Sequence, residues 1–194
     1  MPGGRRGPDS GFTLVEVIVS VMLISIVLAA LTAFFVSATR VTRLQGGRQT
    51  AVQLATESME RARKLEPASL PGGRDLQSVN TQWASPVAGV DLSGMQKVYD
   101  SAAASGAGAS AALPTVREPV TLDGVTYGQY WYLGKCWQPK GGGDCTTSAA
   151  YAEMYRVIVA VTWADTTCGG GCVYLTSTLF SSKYPDPLFN VNGG

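Results

Sequence analysis

Apolar positions are spread very unevenly along the chain. Across residues 12–38, 21 of 27 residues are apolar and Glu16 carries the only charge. Residues 17–39 form an unbroken run of 23 uncharged positions without Pro or Gly. As a helix rising 1.5 Å per residue, this run spans roughly 35 Å, enough for a bilayer core of about 30 Å. Its apolar side chains point in every direction, as a membrane span requires and a surface helix does not. The competing reading is a fully buried core helix, but a single domain of this size could hardly wrap it on all sides. A secretory signal is the other competitor, and its apolar core of roughly 7–15 residues is shorter than this run.

Beyond Gly46-Gly47, which could bend or melt the helix, the period changes. Val52, Ala55, Met59, Ala62 and Leu65 recur every three or four residues, the stripe of an amphipathic helix. Pro67 favours a stop at or before Glu66. Pro71-Gly72-Gly73 marks a turn, the following stretch to Tyr99 is weakly periodic, and residues 101–112 are low in complexity and predict a flexible loop. From Pro119 the pattern becomes β. Asp123-Gly124 between Val120-Thr121-Leu122 and Val125-Thr126-Tyr127 predicts a hairpin with a type I′ turn. That second strand should continue through Tyr130-Trp131-Tyr132-Leu133. Tyr155, Val157, Val159, Val161 and Trp163 alternate with other residues, predicting a strong strand with one markedly apolar face. Residues 172–181 should pair antiparallel with it. Ten of the seventeen aromatics fall between Tyr127 and Phe180, and they are expected mainly in the sheet core.

The residues that open the apolar run carry a motif. Ser10-Gly11-Phe12-Thr13-Leu14-Val15-Glu16, continuing into Val17-Ile18-Val19, resembles the processing site of type IV prepilins and pseudopilins. The resemblance covers about thirty residues at the N-terminal end of the chain. It implies cleavage after Gly11 by a membrane-embedded prepilin peptidase, which also methylates the new N-terminus, Phe12. It further implies that Glu16 pairs with the N-terminal amine of a neighbouring subunit during assembly. An unpaired carboxylate inside a membrane helix costs a few kcal/mol, so Glu16 needs such a partner. It also lies in the first helical turn, where the dipole favours negative charge. A weaker likeness, in Glu16-Val17-Ile18-Val19 and Val161-Thr162-Trp163, is to V-type minor pilins and I-type pseudopilins. The Gly-rich cysteine loops suggest an actinobacterial-type member.

The resemblance implies an α+β pilin fold: a long N-terminal membrane helix whose outer half packs on a C-terminal antiparallel β-sheet. The expected organisation is a cleaved leader at 1–11, a membrane and assembly helix at 12–39, and its amphipathic outer half at 40–66. An αβ-loop region follows at 67–118, then a sheet with two cysteine loops at 119–194. The implied partners are other pilin subunits, the prepilin peptidase/methyltransferase, an inner-membrane assembly platform and membrane lipid. The implied location is a single-pass membrane protein with a cytoplasmic leader and an external C-terminal domain, later part of a surface filament. The basic residues do not set this orientation, because Arg5 and Arg6 before the span face Arg40, Arg43 and Arg48 after it. Long domains translocate largely regardless of charge. A membrane-anchored external binding or adhesion module that never polymerises is the alternative function.

Composition narrows the chemistry. Without any histidine, neither a Ser-His-Asp nor a Cys-His catalytic arrangement is available. Scattered carboxylates form no recognisable motif, and no enzyme, cofactor or metal is expected. Net charge is +1, which gives no basis for a nucleic-acid partner. Charged residues make up 15% of the chain, against about 25% in ordinary soluble domains. The four cysteines permit three disulfide pairings. Local pairs, Cys136 with Cys145 and Cys168 with Cys172, are expected because each closes a Gly-rich loop in a region predicted to be oxidising. A Cys₄ zinc site is the alternative, but the eight residues between Cys136 and Cys145 exceed its usual spacing.

Overall fold

A computed structural model describes residues 13–165 and 168–182. The chain divides into two units, Met1–Gln45 and Gly46–Gly194, and each is described by itself. Helix α1 runs from Leu14 to Arg63 and contributes to both. In the first unit its apolar side chains are exposed: none of its most apolar 18-residue window is buried, and it is long and apolar enough to cross a membrane. Gly46 and Gly47, expected as a break, instead lie within continuous helix. A glycine costs about 1 kcal/mol inside a helix, and packing of the turns that follow offsets this. Gly47 has a positive reason to be small: a Cβ there would lie 3.1 Å from the Trp163 indole nitrogen.

Among the described residues, the second unit is built on the last turns of α1 and a five-stranded sheet. Ala51, Leu54, Ala55, Met59 and Ala62 are buried against Tyr127, Trp131, Leu133, Val157, Val159 and Val161. The buried stripe keeps Ala55, Met59 and Ala62 of the expected set and adds Ala51 and Leu54, while Val52 and Leu65 are half-buried. Small residues dominate it, so backbone and sheet approach closely. Helix α1 ends at Arg63, before Pro67, because a proline cannot continue the backbone ladder.

Between helix and sheet lies an element that the sequence pattern did not reveal. Helix α2, Leu76–Ala84, has only two buried residues, Val79 and Gln82. Asp75 caps it by accepting from the Ser78 amide at 3.0 Å. Residues 101–112, expected as a flexible loop, carry turns and a 3-10 helix at Ala107–Ser110. Hydrogen bonds hold them: the Gly108 amide donates to Asp75 Oδ2 at 2.9 Å, and Asp100 accepts from Gly73 and Ala102. Gly108 has no room for a side chain, since a Cβ would sit 2.5 Å from both Ser78 and Thr115. The small residues of this stretch thus serve close packing.

Strands β1 (Gln96–Lys97) and β2 (Glu118–Leu122) both pair with β3 (Val125–Gln138). Strand β3 pairs with β4 (Ala152–Trp163), and β4 with β5 (Cys172–Ser181), all antiparallel. The β2–β3 turn has φ of +50° at Asp123 and +77° at Gly124, as a type I′ turn demands. Strand β4 differs from expectation in having two buried faces. Val157, Val159 and Val161 face α1, whereas Ile158 and Ala160 join Tyr132, Met95 and Cys136 in a second core. Trp83, Val87, Val90 and Leu92 cover that second core. The Val87 amide donates to the Tyr132 hydroxyl at 2.9 Å and pins this cover to the sheet.

Candidate functional site

The first turn of α1 holds the described part of the motif. Thr13 immediately precedes the helix, and its Oγ1 accepts from the Glu16 amide at 3.4 Å, while its carbonyl accepts the same donor at 3.0 Å. This is the threonine side of a capping arrangement, with glutamate three residues on. Glu16 is exposed in the first turn. Gly11 and Phe12, the expected cleavage and methylation positions, lie outside the described residues. Three hydroxyls along the span bond to carbonyls of the preceding turn. Ser20 donates to the Glu16 carbonyl at 2.7 Å, Ser25 to Val21 at 2.8 Å and Thr32 to Leu28 at 2.8 Å. Such back-bonding lets hydroxyls enter lipid without an unpaired donor.

The second unit fixes the outer turns of α1 to the sheet through Trp131. Its side chain is fully buried, and its indole donates to the Ser58 carbonyl at 3.1 Å. Arg61 lies over the ring at 5.2 Å and pairs with Glu118 on β2 at 2.8 Å. On the backbone side, the Trp131 carbonyl accepts from Arg74 Nη2 at 3.2 Å and from Gln82 Nε2 at 3.1 Å. Arg74 is fully buried and also donates to the Leu113 carbonyl and to Gln82 Oε1. Burial lowers its pKa to about 10, which still leaves it charged at neutral pH. Nothing in Pro71-Gly72-Gly73-Arg74 signals this role, because its partners come from three distant segments.

The cysteines form two local disulfides, Cys136–Cys145 and Cys168–Cys172, with Cα separations of 5.6 and 5.2 Å. The register puts them at opposite ends of the sheet: Cys136 lies opposite Met154 on β4, and Cys172 lies opposite Trp163. The first closes the loop that returns to β3, where Trp137 and Thr146 exchange backbone hydrogen bonds at 2.8 and 3.0 Å. The second closes the Gly169-Gly170-Gly171 turn before β5. Among the described residues, no three His, Cys, Asp or Glu side chains converge as a metal site would need.

A long apolar N-terminal helix followed by a C-terminal antiparallel sheet is an α+β arrangement that matches the pilin fold. Residues 6–32 match the family model described as the prokaryotic N-terminal methylation motif. This match supports a type IV pilin-like, prepilin-type protein. The motif implies processing by prepilin peptidase and assembly with other pilins, and proteins that carry it in this way are structural rather than enzymatic. The apolar helix and the motif together fit a membrane-anchored protein that is later exposed at the surface. No curated protein and no solved structure matches the chain.

Proposed function

We propose that the chain is a structural minor subunit of a type IV pilus or pseudopilus. The observation that carries this reading is the methylation motif at residues 6–32, running into a helix whose apolar surface has no protein cover. Residues 1–11 are a cytoplasmic leader, removed between Gly11 and Phe12, and Phe12 is then N-methylated. Residues 12–39 hold the subunit in the membrane and later pack among neighbouring helices. The same apolar surface serves both solvents, because lipid tails and a helical bundle are similarly apolar. The segment 40–66 links this anchor to an external domain, made of the loop region 67–118 and the sheet region 119–194. The two disulfides stiffen exposed loops in that oxidising setting.

Glu16 is the assembly residue. Its carboxylate pairs with the N-terminal amine of an adjacent subunit, which compensates its burial as the subunit leaves lipid. The inner-membrane assembly platform is the partner at that step. A Glu16→Ala variant should therefore reach the membrane at normal levels but be depleted from sheared filaments. Unchanged incorporation would remove Glu16 from the assembly step.

A further inference from the structure

We propose that the segment after β5 closes the open margin of the sheet: residues 188–192 lie antiparallel along β5, with the Phe189 side chain in a cavity of about 180 Å³ beside that strand. The two margins of the sheet differ in protection. A free strand edge exposes unpaired N–H and C=O groups, and proteins blunt such edges with charges, prolines or shortness. On one side, β1 has only two residues, and β2 carries Glu118 and Pro119. On the other side, β5 runs for ten residues, CVYLTSTLFS, without a charge or a proline. Over residues 173–180, β5 pairs with β4 alone among the described residues. Alternate amides of this stretch therefore point outward, along a backbone rich in β-branched and aromatic residues.

Three observations select this occupant. The first is attachment and reach. Ser182 is fixed at the end of β5 by its hydroxyl, which donates to the Glu153 carbonyl at 2.9 Å. Returning from Ser182 to the level of Ser177 takes roughly 17 Å at the rise of a strand. The chain from Ser182 to Phe189 can span up to roughly 23–25 Å, which leaves enough for a turn. The second is the sequence pattern. Tyr184-Pro185-Asp186-Pro187 is a turn signal. In Leu188-Phe189-Asn190-Val191-Asn192 the residues after Leu188 alternate apolar and polar, the period of a strand. The third is the cavity. Val90, Ile158 and Leu175 give it apolar walls, while Asp91 and Arg156 offset each other's charge. With no net charge, it suits a neutral side chain. Ser177, the exposed residue of β5, borders it. The register that sets Phe189 opposite Ser177 also sets Val191 opposite Leu175, and directly opposed residues share a face.

The inference needs only the folded sheet and stands apart from the filament reading. The test is hydrogen-exchange mass spectrometry of the purified full-length chain in neutral detergent. Amides of residues 188–192 are expected to exchange about tenfold or more slowly than in a synthetic peptide of residues 183–194. Phe189→Asp should return them to the peptide rate and speed exchange in β5. Strands β3 and β4, paired on both sides, should keep their rates in that variant, which shows that the sheet still folds. Phe189→Leu should retain most of the protection. Exchange of residues 188–192 at the peptide rate in the wild type, or protection untouched by Phe189→Asp, would overturn the proposal. Protection of β5 that rises with protein concentration would assign the edge to a second copy of the chain and overturn it as well. None of these outcomes touches cleavage at Gly11 or incorporation into filaments.

Discussion

At the residue scale, the Trp131 carbonyl is a junction. Arg74 and Gln82 both donate to it, while the indole of the same residue reaches the Ser58 carbonyl on α1. Arg74→Met should therefore leave the Leu113 and Trp131 carbonyls short of a donor in the core. A loss of roughly 3 kcal/mol or more in denaturant unfolding is expected, the scale of several unsatisfied buried groups. A loss below about 1 kcal/mol would mean that the network is not needed. Three aspartates add a pH dependence. Hydrogen bonds from Ser78 hold the Asp75 carboxyl far below the usual carboxylate range. Bonds from Ser93 lower Asp91, and backbone bonds from Gly73 and Ala102 lower Asp100. A folded-state pKa below the unfolded value of 3.8 gives stability that is full above that pH and is lost as the pH falls below it. Thermal unfolding followed by tryptophan fluorescence should show a midpoint that is flat from neutrality to about pH 5 and falls steeply below about pH 4. Asp75→Asn should flatten that fall.

At the element scale, the outer turns of α1 meet the sheet through alanines. Ala55→Leu places three extra carbons where no exposed surface remains, and should cost about 1–3 kcal/mol. Gln53→Leu, on the exposed face of the same turn, should leave stability within about 0.5 kcal/mol. Equal effects in denaturant melts would contradict the packing described. Removing the short Cys168–Cys172 link by a double serine substitution should cost about 2 kcal/mol or less, because so small a loop constrains the unfolded chain little. Elements differed in how far the sequence disclosed them. The β2–β3 hairpin was legible because Asp123-Gly124 can adopt two successive positive φ values at low cost. Strand β4 was legible from its alternation, yet its second buried face was not. Ile158 and Ala160 are covered by residues 83–92, which have no period of their own. Helix α2 was illegible for a related reason: with Val79 as its one buried apolar side chain, it is set by the Asp75 cap and by Gln82 reaching Trp131. In the 101–112 stretch, small residues that resemble flexible linker sequence instead fit against Ser78, Thr115 and Asp75.

At the scale of the whole molecule, composition is an average over two environments. The apolar excess lies in residues 12–38, whose side chains lack protein cover where described, whereas the described sheet has a core on each face. The methylation motif at residues 6–32 was legible because its signal lies in contiguous residues. The Arg74 network was not, since Gln82, Leu113 and Trp131 meet only in the folded chain. The proposed function requires that this chain mature as a prepilin and be retained by its helix. Intact-mass and N-terminal peptide mass spectrometry of the protein from its native membrane tests it most directly. Prepilin maturation would yield a chain that begins at Phe12 and carries one added methyl on its amine; a chain that still begins at Met1, or one cut near Ala38, would contradict it.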